Sequence, residues 1–267
     1  MFGRLGTVLE MIKVQHSLFA LPWAFVAAFY AAGGLPAWST MGWILLAMVA
    51  ARSSAMAFNR AVDAKIDAEN PRTALRAIPA GRLTRGFTLA FAVVMAGLLV
   101  FAAWRLNDLC LKLSPIALAV TLGYSFTKRF TALCHWVLGL SLAAAPIGAW
   151  LAVAPDRATA PLPYLLGAAV CFWIAGADIL YACEDFEFDR RKRLHSVPAK
   201  VGIRAALWIS VANHVLAVAA LAAAGLDVSA FNSSLFSEGV SLAIFVGVPL
   251  LQEQPDGSFA IAPSELT

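Results

Sequence analysis

Two short acidic phrases in this chain hold residues whose types and spacing could do chemistry. The first, Asn59-Arg60-Ala61-Val62-Asp63-Ala64-Lys65-Ile66-Asp67, closes a long apolar stretch. Residues four apart stack on one helix face, which puts Asn59, Asp63 and Asp67 in one stripe. Arg52, seven residues before Asn59, falls on the same stripe about two turns deeper. Carboxylates at this spacing repel each other, and near a bilayer the repulsion is poorly screened. A divalent cation would turn that repulsion into a site, and an all-oxygen stripe suits magnesium. Taken alone, a solvated helix end with ordinary charges explains the phrase about as well.

The pattern recurs, which weakens the plainer explanation. Tyr181-Ala182-Cys183-Glu184-Asp185-Phe186-Glu187-Phe188-Asp189 also closes an apolar stretch and again sets two aspartates four apart. Asp178, seven residues before Asp185, lies on that stripe inside the apolar span. An intramembrane acid is a candidate functional group, its structural alternative being a partner for an arginine. Glu184 and Glu187 are off the stripe and are expected to be solvated. Each motif leads into a basic loop with a similar phrase, Ile78-Pro79-Ala80-Gly81-Arg82 after the first and Val197-Pro198-Ala199-Lys200-Val201 after the second. Such recurrence marks an internal duplication of a multi-helix unit. Two acidic helix ends brought together could hold metal ions around a polyanion.

The elements that must position these residues are membrane helices. Of 267 residues, 61% are hydrophobic and 13% charged, about half the charge of a soluble domain. Strand-type alternation is absent, which argues against a barrel. The apolar spans are roughly 14–32, 41–58, 87–104, 113–126, 133–153, 162–182, 205–224 and 229–251. That is eight candidate helices in one transmembrane domain over 1–251, with 113–126 short for a crossing. Residues 252–267 are polar and are expected to be a disordered tail. The net charge of +4 could suggest nucleic acid. The basic residues lie in short loops, however, so topology explains them and no nucleic-acid partner is expected. Lys and Arg concentrate before the first span and after the even-numbered ones. The amino terminus and both motifs are therefore expected on the cytoplasmic side of the membrane.

The remaining reactive side chains carry less. Cys110, Cys134, Cys171 and Cys183 form no CxxC pair and read as small buried residues. His16 sits near a helix start, His195 reads as loop architecture, and His135 and His214 give no signal.

In these motifs the chain resembles the UbiA superfamily of intramembrane aromatic prenyltransferases, closest to bacterial 4-hydroxybenzoate polyprenyltransferase-like proteins. The resemblance rests on Asn59/Asp63/Asp67, on Asp185/Asp189 with Tyr181 four residues earlier, and on four further phrases. These are His16-Ser17-Leu18-Phe19-Ala20-Leu21-Pro22, Asn70-Pro71-Arg72-Thr73, Tyr124-Ser125-Phe126-Thr127-Lys128-Arg129 and His195-Ser196-Val197-Pro198-Ala199. It implies an all-α polytopic transmembrane bundle around a central cavity. It also implies magnesium-dependent transfer of a polyprenyl chain from an allylic prenyl diphosphate to an aromatic acid, in ubiquinone or menaquinone assembly. By resemblance, Asn59, Asp63, Asp67, Asp185 and Asp189 hold the magnesium-diphosphate, Arg52 and Lys128 contact phosphate oxygens, and Arg72 assists. Arg129 binds either phosphate or the acceptor's carboxylate, and the apolar tail lies among the helices, open to membrane lipid. The family usually has nine helices against the eight counted here, so a penultimate helix is missing. A futalosine-route menaquinone precursor is the alternative acceptor. Of a different class, a cation transporter would also use a repeat and intramembrane charge, but it would set its acids near the midplane.

Overall fold

A computed structural model describes residues 2–12, 21–227, 251–253 and 259–261. The described helices are α1 (Phe2–Ile12), α2 (Leu21–Ala32), α3 (Trp38–Val62), α4 (Ala64–Glu69), α5 (Arg85–Leu106), α6 (Asp108–Thr127), α7 (Cys134–Val153), α8 (Pro161–Glu184), α9 (Phe186–Lys192), α10 (Val197–Val201) and α11 (Ile203–Asp227). All of them belong to one compact unit, Met1–Asp227. A second unit, Val228–Thr267, is described by a two-stranded antiparallel ladder of β1 (Leu251–Glu253) and β2 (Phe259–Ile261). The span expected over 229–251 lies outside the described residues apart from its last position, as does the question of a missing helix. The same holds for His16 and for the first part of the span expected over 14–32.

Six described helices, α3, α5, α6, α7, α8 and α11, are long and apolar enough to cross a membrane. Their outer faces carry exposed apolar side chains such as Val93, Ile116, Trp208 and Val215. Such faces are stable against lipid, because every helical backbone group is already hydrogen-bonded within its own segment. The chain is an integral membrane protein. The expectation that 113–126 is short needs correcting: α6 starts at Asp108. The early start has a local cause, since Asn107 caps the helix by accepting from the Cys110 N–H at 2.9 Å. The Asn107 amide also donates to the Leu151 carbonyl at 2.9 Å, tying α6 to α7.

The spans pack in sequence, α3 on α5, α5 on α6, α6 on α7, α7 on α8 and α8 on α11, with α2 against α7. Small residues permit the closest approaches. A Cβ on Gly139 would meet the Cys171 carbonyl oxygen at 2.3 Å, and one on Gly176 would meet the His214 ring at 2.7 Å. This close backbone contact is how helices gain van der Waals energy where lipid removes the hydrophobic drive. On the motif side, Val8, Met11 and Ile12 of α1 pack with Met56 and Ala57 of α3, the loop residues Ala77 and Leu83, and Ala92 of α5.

The duplication is visible in the fold. α3 breaks into the short α4, and α8 breaks into the short α9, each at the middle aspartate of its motif. Asp63 (φ −91°, ψ 5°) and Asp185 (φ −96°, ψ 9°) share one backbone conformation. The motifs were expected as stripes on single helices, and instead each straddles a break. The i→i+4 bonding continues through both, from Asp67 N–H to Asp63 O and from Asp189 N–H to Asp185 O, each 2.8 Å.

Candidate active site

The helix breaks bring the two motifs to one cavity of about 300 Å³. Every residue singled out from sequence lines it: Arg52, Asn59, Asp63, Asp67, Arg72, Lys128, Arg129, Asp178, Tyr181, Asp185 and Asp189. Sequence reasoning missed several others on the same wall, among them Arg60, Asn70, Arg76, Tyr124 and His135. Asn70 could have been found within its Asn-Pro-Arg-Thr phrase. Arg60 and Arg76 were visible only as loop charges.

Each motif carboxylate faces a cation of this chain. Arg129 Nη2 lies 2.8 Å from Asp63 Oδ1 and also donates to the Val62 carbonyl at 3.1 Å. Asn59 Nδ2 donates to the other Asp63 oxygen at 3.0 Å. Arg76 Nη1 binds Asp67 Oδ1 at 2.7 Å. Arg72 reaches across from the first motif's loop to Asp185, donating from Nε to Oδ1 at 2.9 Å and from Nη2 to Oδ2. Asn70 Nδ2 donates to the same Oδ1 at 2.9 Å. Lys128 Nζ stands 2.9 Å from Asp189 Oδ1 as an ion pair that lacks the alignment of a hydrogen bond. Glu184 and Glu187 are exposed, as expected, with Glu184 3.9 Å from Arg72.

These surroundings set the charges. Burial pushes the Asp63 carboxyl above the usual aspartate range, against the opposing pull of Arg129 and Asn59. Burial pushes Asp185 the same way, but hydrogen bonds from Arg72 and Asn70, with the charges of Arg72 and Lys128, outweigh it and hold the group below that range. The Asp185 hydrogen bond raises the Arg72 guanidinium in turn.

His135 departs from expectation. Among the described residues Asp178 has histidine, not the arginine of its structural alternative, as its partner: its Oδ2 lies 2.6 Å from Nδ1 of His135. His135, which gave no sequence signal, is buried at 2% exposure, with Nε2 accepting from the Val197 N–H at 3.1 Å. The general rule that a polar group inside a span needs a partner could have flagged it. His214 bonds its own helix at the Ser210 carbonyl, and His195 is joined to the Lys128 carbonyl through its backbone. All four cysteines are free thiols.

The donor set can be tested against magnesium. Asp67 Oδ2 and both oxygens of the fully buried Asp189 lack hydrogen-bond donors, so buried anionic lone pairs are available at the site. All the candidate donors are oxygens, as a hard cation requires. Among the described residues no three ligand side chains yet converge on one point. A metal would therefore be held together with oxygens of a polyanionic ligand, which fits magnesium's preference for phosphate and water in its shell. The residues present fit magnesium held in this way.

A second cavity, about 190 Å³ and almost wholly apolar, lies between α3, α5, α6 and α7. It shares Arg52, Tyr124 and Leu138 as walls with the charged cavity. The Arg52 Nε is buried there without a hydrogen-bond acceptor. The pair of cavities suits an amphiphile with an anionic head and an apolar tail.

Comparison with known proteins accounts for this arrangement. The model of the UbiA prenyltransferase family matches residues 20–254. A 4-hydroxybenzoate octaprenyltransferase of Shewanella loihica is 30% identical, over 94% of this chain and 86% of its own. Matches to other relatives of that name span 56% to 68% of those proteins' lengths. The structure of a UbiA homolog from Aeropyrum pernix K1 superposes with a TM-score of 0.80 at 31% identity, covering 86% of this chain and 85% of that one. A UbiA homolog from Archaeoglobus fulgidus, bound to DMAPP and Mg2+, shares the fold at a TM-score of 0.70 and 18% identity over 90% of this chain and 85% of that one. The chain belongs to the UbiA prenyltransferase family and is a prenyltransferase.

Proposed function

We propose that the protein transfers a polyprenyl group from an allylic prenyl diphosphate to a 4-hydroxybenzoate-like aromatic acid, with magnesium, in ubiquinone or menaquinone assembly at the bacterial inner membrane. The observation that carries this reading is the meeting of a charged cavity, walled by both aspartate motifs, with an apolar cavity between the spans. The relatives' names supply the acceptor, and the Archaeoglobus fulgidus homolog, solved with DMAPP and Mg2+, supplies the precedent for the donor.

Asn59, Asp63, Asp67, Asp185 and Asp189 would hold the metal, and Arg52, Arg72, Lys128 and Arg129 the phosphate oxygens. Magnesium, when bound, would neutralise the diphosphate and let it depart without protonation. The apolar walls between α3 and α7 would take the isoprenoid chain and exclude water from the allylic carbon. Tyr181, half-exposed toward the cavity, and Asp178 would face the aromatic acceptor. The amino terminus and the cavity mouth are assigned to the cytoplasm on the distribution of Lys and Arg.

The test is direct. Purified protein with magnesium, geranyl diphosphate and a panel of phenolic acids is analysed by mass spectrometry. A prenylated 4-hydroxybenzoate, lost on chelating the metal, is the expected product. Pyrophosphate release with no prenylated acid, or prenylation of a different ring class, overturns the assignment of the acceptor.

A further inference from the structure

Five carboxylates line the charged cavity, and one is set apart by its partner. Asp63, Asp67, Asp185 and Asp189 each face an arginine or lysine. Asp178 faces a histidine. It lies seven residues before Asp185 on α8, so it stands about two turns deeper, toward the apolar end of the cavity.

The protonation of this pair follows from its hydrogen bonds. The Val197 backbone N–H donates to His135 Nε2, so that nitrogen carries a lone pair. A neutral imidazole has one N–H, which must then sit on Nδ1 and donate to Asp178 Oδ2. Asp178 Oδ2 is therefore the acceptor in this bond. Oδ1 has no part in the bond, and the side chain is 37% exposed while lining the cavity. His135 is held from α7 and from the start of α10, so two elements fix the direction of one carboxylate on a third.

We propose that Asp178 takes the hydroxyl proton of the phenolic acceptor, and that His135 is the positioning residue that fixes its carboxyl group by a hydrogen bond and aims it into the cavity. The proposal rests on the prenyltransfer reading above and deepens it. The four motif aspartates are poorly suited to the task, because each is already in an ion pair with an arginine or lysine, which a proton on the carboxylate would weaken. In the step itself, the hydroxyl proton passes to Asp178, leaving a phenolate. The allylic carbon–oxygen bond breaks and its electron pair stays with the diphosphate. The ring carbon ortho to the oxygen bonds to the allylic carbon, giving a neutral dienone. The ring proton at that carbon then leaves to the departed diphosphate, and Asp178 returns its proton to the oxygen, restoring the phenol.

The experiment uses the full chain in lipid nanodiscs, with three readouts. Histidine-selective nitrogen-15 NMR without ligands should show one neutral imidazole protonated at Nδ1 and bare at Nε2, its signal absent from His135→Asn. In steady-state assays with geranyl diphosphate and 4-hydroxybenzoate, Asp178→Asn should lower kcat by about a hundredfold or more. Its affinity for magnesium and inorganic pyrophosphate should stay within about twofold of the native protein's, since a base for the acceptor plays no part in holding the donor's head. His135→Leu should lower kcat about tenfold or more, and His135→Asn, whose amide N–H replaces the Nδ1 donor, should recover most of that loss. Turnover of Asp178→Asn close to the native rate, a proton on Nε2 of His135, or equal rates for the two His135 variants would overturn the proposal alone. Native protein that binds pyrophosphate but prenylates no phenolic acid overturns the functional reading, and the proposal with it.

Discussion

Asp189 is the most exposed to argument at the level of single residues, because it is the least exposed to water. It is fully buried, neither of its oxygens accepts a hydrogen bond, and its cation, Lys128, is partly solvated. A buried charge so poorly compensated is unfavourable for folding and persists where function requires it. Asp189→Asn should therefore keep or raise the thermal midpoint while lowering transfer by about a hundredfold or more, the scale of a lost electrostatic contact in an active site. Unfolding and product formation measured on the same preparation check both halves, and a lower midpoint with retained activity contradicts them. Arg129 separates two roles left open by sequence. Its guanidinium already sits on Asp63, one of the carboxylates proposed to hold the metal, and packs over the Phe126 ring. Arg129→Ala should weaken pyrophosphate binding by roughly ten- to a hundredfold, the worth of one charged hydrogen bond, and leave the acceptor's apparent affinity unchanged. The reverse pattern would assign Arg129 to the acceptor's carboxylate. The motif aspartates were legible because charge at a period of four inside apolar sequence has few innocent explanations. His135 was not, since a lone histidine in a span acquires meaning only from a partner on another helix.

At the level of elements, the sequence periodicity located the spans but not their interruptions. No proline or glycine stands at Asp63 or Asp185, so nothing in the sequence announced that each motif bends there. The start of α6 was misjudged because apolar periodicity starts later than the helix, whose first turn is fixed by the Asn107 cap. Helix approach distances were equally silent, because a glycine in a span has no visible partner until the fold supplies one. Gly139 makes the clearest case: an added methyl would lie 2.3 Å from the Cys171 carbonyl oxygen, and backbone cannot swing aside as a side chain can. Gly139→Ala should part α7 from α8 and destabilise the protein by about 1–3 kcal/mol, the usual penalty for overpacking. Gly148, with open space around its Cβ position, is the matched control, and Gly148→Ala should leave the midpoint unchanged or slightly higher. Equal midpoints for the two variants in the same detergent would contradict the packing described.

At the largest scale described, the helical unit is a duplicated bundle whose two halves are joined by the groups that would hold substrate. Arg72 and Asn70 reach from the first half to Asp185 in the second, and Lys128 and Arg129, both after α6, reach Asp189 and Asp63. The duplication could be read from sequence, but this cross-pairing could not, because loop charges look alike whether they face water or a site. It has a consequence for binding. Six arginines and lysines and five carboxylates line one cavity, so the ligand-free site is nearly neutral, and four of the carboxylates are already ion-paired with Arg129, Arg76, Arg72 and Lys128. A magnesium ion entering alone competes with the arginine or lysine that each motif carboxylate already faces. Pyrophosphate entering alone likewise competes with those carboxylates for Arg72, Arg76, Lys128 and Arg129. When both enter, each takes the partner that the other has released, so neither leaves a stranded charge. Magnesium and pyrophosphate should thus bind with positive coupling of at least about tenfold, corresponding to about 1.4 kcal/mol. The coupling should be reciprocal, as linkage requires. Calorimetric titration of pyrophosphate at zero and at saturating magnesium, corrected for the complex formed in solution, measures it. Arg72→Gln should reduce the coupling, because Asp185 would then be released at little cost to either ligand. Independent binding of the two ions, or coupling unchanged in Arg72→Gln, would mean that the ion pairs seen across the cavity are not the ones exchanged on binding.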